Sequence, residues 1–321
     1  MSEVRTTVSL LATVAAISLA SCAGSMRYEK PVDPTTVLRP DAMAYLTLTR
    51  GALSEFGPAL LPSGKAAGLR DLVNKTDVAA VALLAPALAG AAAGTDPASR
   101  TSPRMPGFEA VLVGNFPFRS APLALSGSAG WRRKGGAYVN AKEGLSVAFP
   151  GPTVVLASSG DIAGLVGRLA EPGTSAFPPS LSALCERELV LWLPRPFERF
   201  GEALLGEAIE VPAEGLLVAA NRTGSVDTGR GQSEPAWDIT VAFLMSDAGA
   251  ARIFRPAVRI AWYGLAKSLF PGEEGISAPT FQIADNLVVA GGLRLRSSTI
   301  AAAFRCLSEL GFEPAGQAPN H

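Results

Sequence analysis

The chain has 321 residues, of which 48% are apolar and 17% charged, so it can bury a sizeable core and lacks the composition of a disordered segment. Lys plus Arg equals Asp plus Glu at 28 each, without the basic excess that a nucleic-acid partner demands. The single histidine is the terminal His321, which removes Ser-His-Asp and Cys-His nucleophilic systems, histidine bases and the usual zinc sites.

Met1 to Cys22 reads MSEVRTTVSLLATVAAISLASC, with Glu3 and a single Arg5 ahead of an apolar run from Val8 to Ala20. A permanent transmembrane helix needs about 20 apolar residues, and this run is shorter, as in a secretory signal. It ends in Leu19-Ala20-Ser21-Cys22, small residues before a cysteine. This segment resembles the lipobox of bacterial lipoproteins. The resemblance implies cleavage of residues 1–21 and lipidation of Cys22, which becomes the mature N-terminus and a lipid anchor. Ala23 follows the cysteine where an Asp retains enteric lipoproteins in the inner membrane. The resemblance therefore implies an outer-membrane address. Residues 22–40 are polar, proline-containing and aperiodic, and read as a tether.

The body contains an internal repeat. Tyr45 to Leu61 aligns without gaps with Leu189 to Leu205 at an offset of 144 residues, both ending Phe-Gly-x-Ala-Leu-Leu (Phe56-Gly57 and Phe200-Gly201). Phe108 to Val113 matches Trp237 to Ala242 in alternation, and Val154 to Leu169 resembles Leu287 to Leu307 as strand, loop and helix. The expected fold is α+β: a first repeat over 41–170, a linker over 171–183, a second repeat over 184–312 and a tail over 313–321. Each repeat is expected to be a mainly antiparallel sheet with helices on one face. Val78 to Gly94 is apolar but contains Pro86, and reads as a buried strand followed by a loop. Ala85 to Gly107 and Asn221 to Pro235, rich in Gly, Pro, Ser and Thr, read as long loops.

No residue pattern for catalysis emerges. Pro62-Ser63-Gly64-Lys65 approaches a phosphate loop, but Ala59 and Ala66 stand where that motif needs Gly and Ser or Thr. No Ser-x-x-Lys nucleophile occurs, and the Glu273-Glu274 pair between two glycines suits a solvated turn. A non-enzyme without metal or cofactor is expected. Cys185 and Cys306, left once Cys22 is acylated, sit in apolar helical contexts that suit buried thiols as well as a bridge.

Asp247 to Phe270 is an amphipathic helix in pattern. Phe254, Val258, Trp262, Leu265 and Leu269 share one face, and Arg252, Arg255, Arg259 and Lys267 lie opposite with Tyr263 among them. Pro256 either opens the main helix or kinks it. A basic helix with Trp near its boundary suits an anionic membrane surface or a hydrophobic ligand, and a plain sheet-covering helix has the same pattern. The anchor at Cys22 together with this helix resembles, in architecture, the hydrophobic-ligand-binding outer-membrane lipoproteins of treponemes. The expected function is that of an envelope lipoprotein binding a lipid, another hydrophobic ligand or a membrane surface. The alternative is an assembly scaffold that contacts envelope proteins.

Overall fold

The computed structural model describes residues 32–60, 74–85, 107–116, 130–141, 144–196, 198, 212–227, 233–269 and 279–309. The signal segment, Cys22 and the Phe200-Gly201 half of the repeat lie outside them.

Twelve strands form one sheet: β1 (Ala44–Thr49), β2 (Thr76–Leu84), β3 (Gly107–Gly114), β4 (Trp131–Lys134), β5 (Ala137–Asn140), β6 (Leu145–Gly151), β7 (Val154–Ser158), β8 (Leu189–Pro194), β9 (Ala213–Asp227), β10 (Ser233–Met245), β11 (Thr280–Ala284) and β12 (Leu287–Arg296). Five helices accompany it: α1 (Arg50–Leu60), α2 (Ala163–Ala170), α3 (Ser182–Cys185), α4 (Ala248–Leu269) and α5 (Ser297–Glu309). Neighbouring strands are antiparallel throughout, in the order β11-β12-β10-β9-β8-β1-β2-β3-β7-β6-β5-β4. The fold is α+β, as the pattern of strands and helices predicts.

The central pair is β1 with β8, in the register Tyr45↔Trp192, Leu46↔Leu191, Thr47↔Val190 and Leu48↔Leu189. Outward from it the order is β9-β10-β12-β11 on one side and β2-β3-β7-β6 on the other, with β5 and β4 beyond.

Strand side chains alternate between faces, so each strand supplies two cores. On one face Leu48, Leu189, Trp237, Val241, Phe243, Val288 and Leu293 pack under α1, α4 and α5. There the Phe56 ring of α1 lies 4.9 Å from Trp237 and 5.8 Å from Phe304 of α5. On the other face Tyr45, Leu156, Val190, Trp192, Leu217 and Ala242 join Leu165 of α2, Phe177 and Leu181. Full burial of a Leu or Phe stabilises by about 1.5–3 kcal/mol, so residues 0–4% exposed on both faces make the sheet a middle layer.

Four expectations change. Helices occupy both faces: α4 and α5 share one, whereas α1 and α2 of the first half lie on opposite ones, because their apolar stripes meet opposite phases of the strand alternation. The tether ends before Val32. Pro34–Thr36 form a 3₁₀ turn capped by Asp33, and Val37 and Leu38 are buried because Arg168 Nε donates to the Val37 carbonyl at 2.7 Å. The linker is likewise packed, since Phe177 and Leu181 enter the core. Asn221 to Pro235 is largely a hairpin, with β9 paired to β10 out to Asp227↔Ser233. A bulge at Ala236/Trp237 and Gly224 at φ +127° let this glycine-containing stretch stay in the ladder.

Candidate functional site

α4 begins at Asp247. The Asp247 carboxylate accepts the Ala250 N–H at 2.8 Å, and that bond, ahead of those from Gly249 and Ser246, holds its pKa below the usual carboxylate value. The helix continues through Pro256, which lacks the N–H that would reach the Arg252 carbonyl.

At 3.6 residues per turn the buried positions of α4 form one stripe: Ala251, Val258 and Trp262 are buried and Phe254 half-buried. They pack on β10, β11 and β12. Phe254, Val258 and Trp262, expected on the ligand- or membrane-facing side, thus belong to the sheet core. The side chains of Leu265 and Leu269 lie outside the described residues.

The outward stripe is different. Ile253 is 73% exposed, Ile260 60% and Tyr263 42%, and these are three of the four exposed large hydrophobic residues among those described. They recur at spacings that place them on one line with Pro256. Arg252, Arg255 and Arg259 flank this line and are exposed; α4 carries these three, Lys267 and no acidic residue. The Arg259 guanidinium lies 5.8 Å from the Tyr263 ring centroid. Arg255 Nη2 donates to the Phe281 carbonyl at 2.9 Å and ties the helix to edge strand β11. The sequence reading grouped Arg252, Arg255 and Arg259 correctly but passed over Ile253 and Ile260. Their seven-residue spacing among arginines was the available signal.

Two indoles in the same core differ. Trp237 Nε1 donates to Ser297 Oγ at 3.0 Å, whereas Trp262 Nε1 is the one buried side-chain polar atom among the described residues without a hydrogen-bond partner.

A second polar cluster is a clamp. Glu109, 5% exposed, accepts Arg168 Nη2 at 2.5 Å and the Arg39 N–H at 3.3 Å. The Tyr45 hydroxyl donates to the Arg39 carbonyl at 2.6 Å and accepts the Ala42 N–H at 3.1 Å. These bonds fasten residues 37–42 to β1, β3 and α2, and nothing in the cluster is directed at a ligand. Cys185 is a half-buried free thiol whose pKa burial pushes up to about 11, with Asp33 adding to the rise. It sits on the face opposite α5, which carries Cys306.

Among the described residues no group of three His, Cys, Asp or Glu side chains is placed to hold a metal ion, and no helix is long and apolar enough to cross a membrane.

No family model and no curated protein matches the chain in sequence. Among solved structures it is similar to crystal forms of TP0453, a treponemal outer-membrane lipoprotein. Crystal form III gives a TM-score of 0.56 at 13% identity, covering 86% of this chain and 99% of that one. Crystal form I gives 0.56 at 15%, covering 87% and 99%. At these identities the likeness is one of fold.

Proposed function

We propose that this chain is a lipid-anchored, non-enzymatic envelope protein that meets a lipid surface or lipid ligand through α4, with Cys22 as the anchor and the outer membrane as its address. The observation that carries the reading is the Ile253–Ile260–Tyr263 stripe flanked by arginines. A helix that merely covers a sheet gains nothing from isoleucines in water, whereas one lying in a membrane interface buries such a stripe and pairs its cations with anionic headgroups. Burying each isoleucine is worth about 1.5–3 kcal/mol, and each arginine near an anionic surface about 1 kcal/mol. The fold shared with a treponemal envelope lipoprotein supports the setting. The strand order on the two sides of β1–β8 supports a duplicated unit, in which α4 stands where the first half has the β4–β5 hairpin.

Vesicle flotation of the chain from residue 22 carrying Cys22→Ser tests this. Binding to phosphatidylglycerol vesicles that weakens with salt and is lost in an Ile253→Asp/Ile260→Asp variant is expected. Wild-type protein that fails to float would remove the membrane reading and leave the scaffold alternative, to be sought by pull-down from solubilised envelopes.

A further inference from the structure

The orphan indole of Trp262 points to a second feature of α4. A buried N–H without an acceptor is costly, and this core does satisfy its other indole: Trp237 donates to Ser297, whose hydroxyl in turn donates to the Pro235 carbonyl at 3.2 Å. Trp262 is 3% exposed and lies in a cluster of Val258, Phe281, Val288, Ala290 and Leu293. None of these side chains can accept a hydrogen bond.

Its position on the helix is informative. Arg255 and Trp262 are seven residues apart, hence on one stripe and about 10 Å apart along the axis. The bond from Arg255 to the Phe281 carbonyl shows that this stripe faces β11. β11 is the last strand of the sheet on that side, so the α4–β11 seam lies at its margin. The seam thus has an apolar interior, one unmet donor within it and one guanidinium on the same stripe. An acyl chain bearing a single oxygen acceptor has the complementary chemistry.

We infer that the α4–β11 seam takes up the acyl chain of a lipid, its carbonyl or carboxylate oxygen accepting the Trp262 N–H and its polar end meeting Arg255. The inference rests on the lipid-binding reading above and assigns that reading a site distinct from the outward stripe. An ester carbonyl and a free carboxylate offer Trp262 the same acceptor. Arg255 gains a charge partner at the seam from the free acid.

The test uses the chain from residue 22 with Cys22→Ser, in three forms: otherwise unaltered, Trp262→Phe, and position 262 carrying 3-benzothienylalanine, which keeps the ring volume and lacks the N–H. The probes are dansylundecanoic acid, dihexanoyl phosphatidylglycerol below its micellar concentration, and diphenylhexatriene, which has no acceptor. The expected result is roughly threefold to tenfold weaker binding of an acceptor-bearing probe by the benzothienyl form, with diphenylhexatriene unchanged. Without probe, the same form should melt at a higher temperature, because the unmet donor is gone. The indole N–H resonance of Trp262 should move downfield on titration with the bound probe. Preference for dansylundecanoic acid, lost in Arg255→Gln, identifies a free acid; preference for dihexanoyl phosphatidylglycerol identifies a phospholipid acyl ester. Equal affinities in the unaltered and benzothienyl forms, a lower melting temperature of the latter, or uptake of no probe would overturn the inference. Flotation that survives both position-262 changes leaves the membrane reading standing, and loss of flotation in Ile253→Asp/Ile260→Asp with intact probe uptake separates the two sites.

Discussion

Single residues set local stability here through bonds that cross large sequence distances. Arg168→Ala would leave the Glu109 carboxylate buried without its cation, and cleaving a buried pair in this way costs about 3–5 kcal/mol. Arg168 itself is 28% exposed, so solvent reduces the loss, and urea unfolding should place the change nearer 2–3 kcal/mol. Ser297→Ala would turn Trp237 into a second orphan indole and should cost about 1–3 kcal/mol by the same measurement. Cys185 offers a pH test. Its thiol has a model value of 9.0 and is raised to about 11 in the fold, so the folded state holds this proton more tightly than the unfolded one. Its contribution to stability is therefore complete below pH 9 and fades as pH climbs towards 11. Alkylation of the native protein should be slow at pH 8 and accelerate across that window; rapid native labelling at pH 8 would contradict the burial. None of these bonds was legible in the sequence, because Glu109 and Arg168 are separated by 59 residues and nothing local marks them as partners.

Elements were easier to read than their surroundings. The strand alternation of Tyr45 to Thr49 and the helical period of Ala248 to Leu269 are set by local spacing, and both elements form where that spacing places them. The hairpin of β9 and β10 was missed because Gly224, Thr223 and Ser225 have loop chemistry, and only the partner strand makes them sheet. The orientation of α4 was half legible. Its wheel separates apolar from basic residues, but two apolar lines exist, and the sheet selects the one holding Val258 and Trp262. Within β9, Gly215 is required because a Cβ there would run into the indole of Trp192, which lies across the strand. Gly215→Ala should destabilise by about 1–3 kcal/mol through overpacking, read by thermal unfolding. Asp247→Ala removes the cap of α4. Because the Asp247 pKa is lowered in the fold, its contribution is present above the usual carboxylate pKa and lost as pH falls through the folded value. Helicity lost from α4 in Asp247→Ala at neutral pH, followed by amide exchange, should resemble that of the parent protein in acid.

The whole molecule is organised around one pair of strands, β1 and β8. Four cross-strand residue pairs join the halves there, and both cores run through them, with Leu48 and Leu189 on one face and Tyr45 and Trp192 on the other. Leu156→Ala in the first half and Leu217→Ala in the second should therefore move one shared unfolding transition, each by about 2–5 kcal/mol. Separate transitions, seen by tryptophan fluorescence and circular dichroism, would mean that the halves fold independently. The joining of the halves into one sheet was not legible, since the sequence showed two similar units and no partner for either central strand.

An open sheet of this width also has a colloidal consequence. It ends in two unsatisfied rows of backbone donors and acceptors, which invite a second molecule to continue the ladder. At one end, β4 is four residues long and presents exposed Arg132, Arg133 and Lys134. At the other, β11 is preceded by Pro279, and one of its carbonyls is already engaged by Arg255. Like charges at one margin and a pre-empted acceptor at the other keep copies apart, a need that grows when anchors concentrate them on a surface. Replacing Arg132, Arg133 and Lys134 by threonine should leave the fold intact and promote self-association, seen as rising light scattering with concentration.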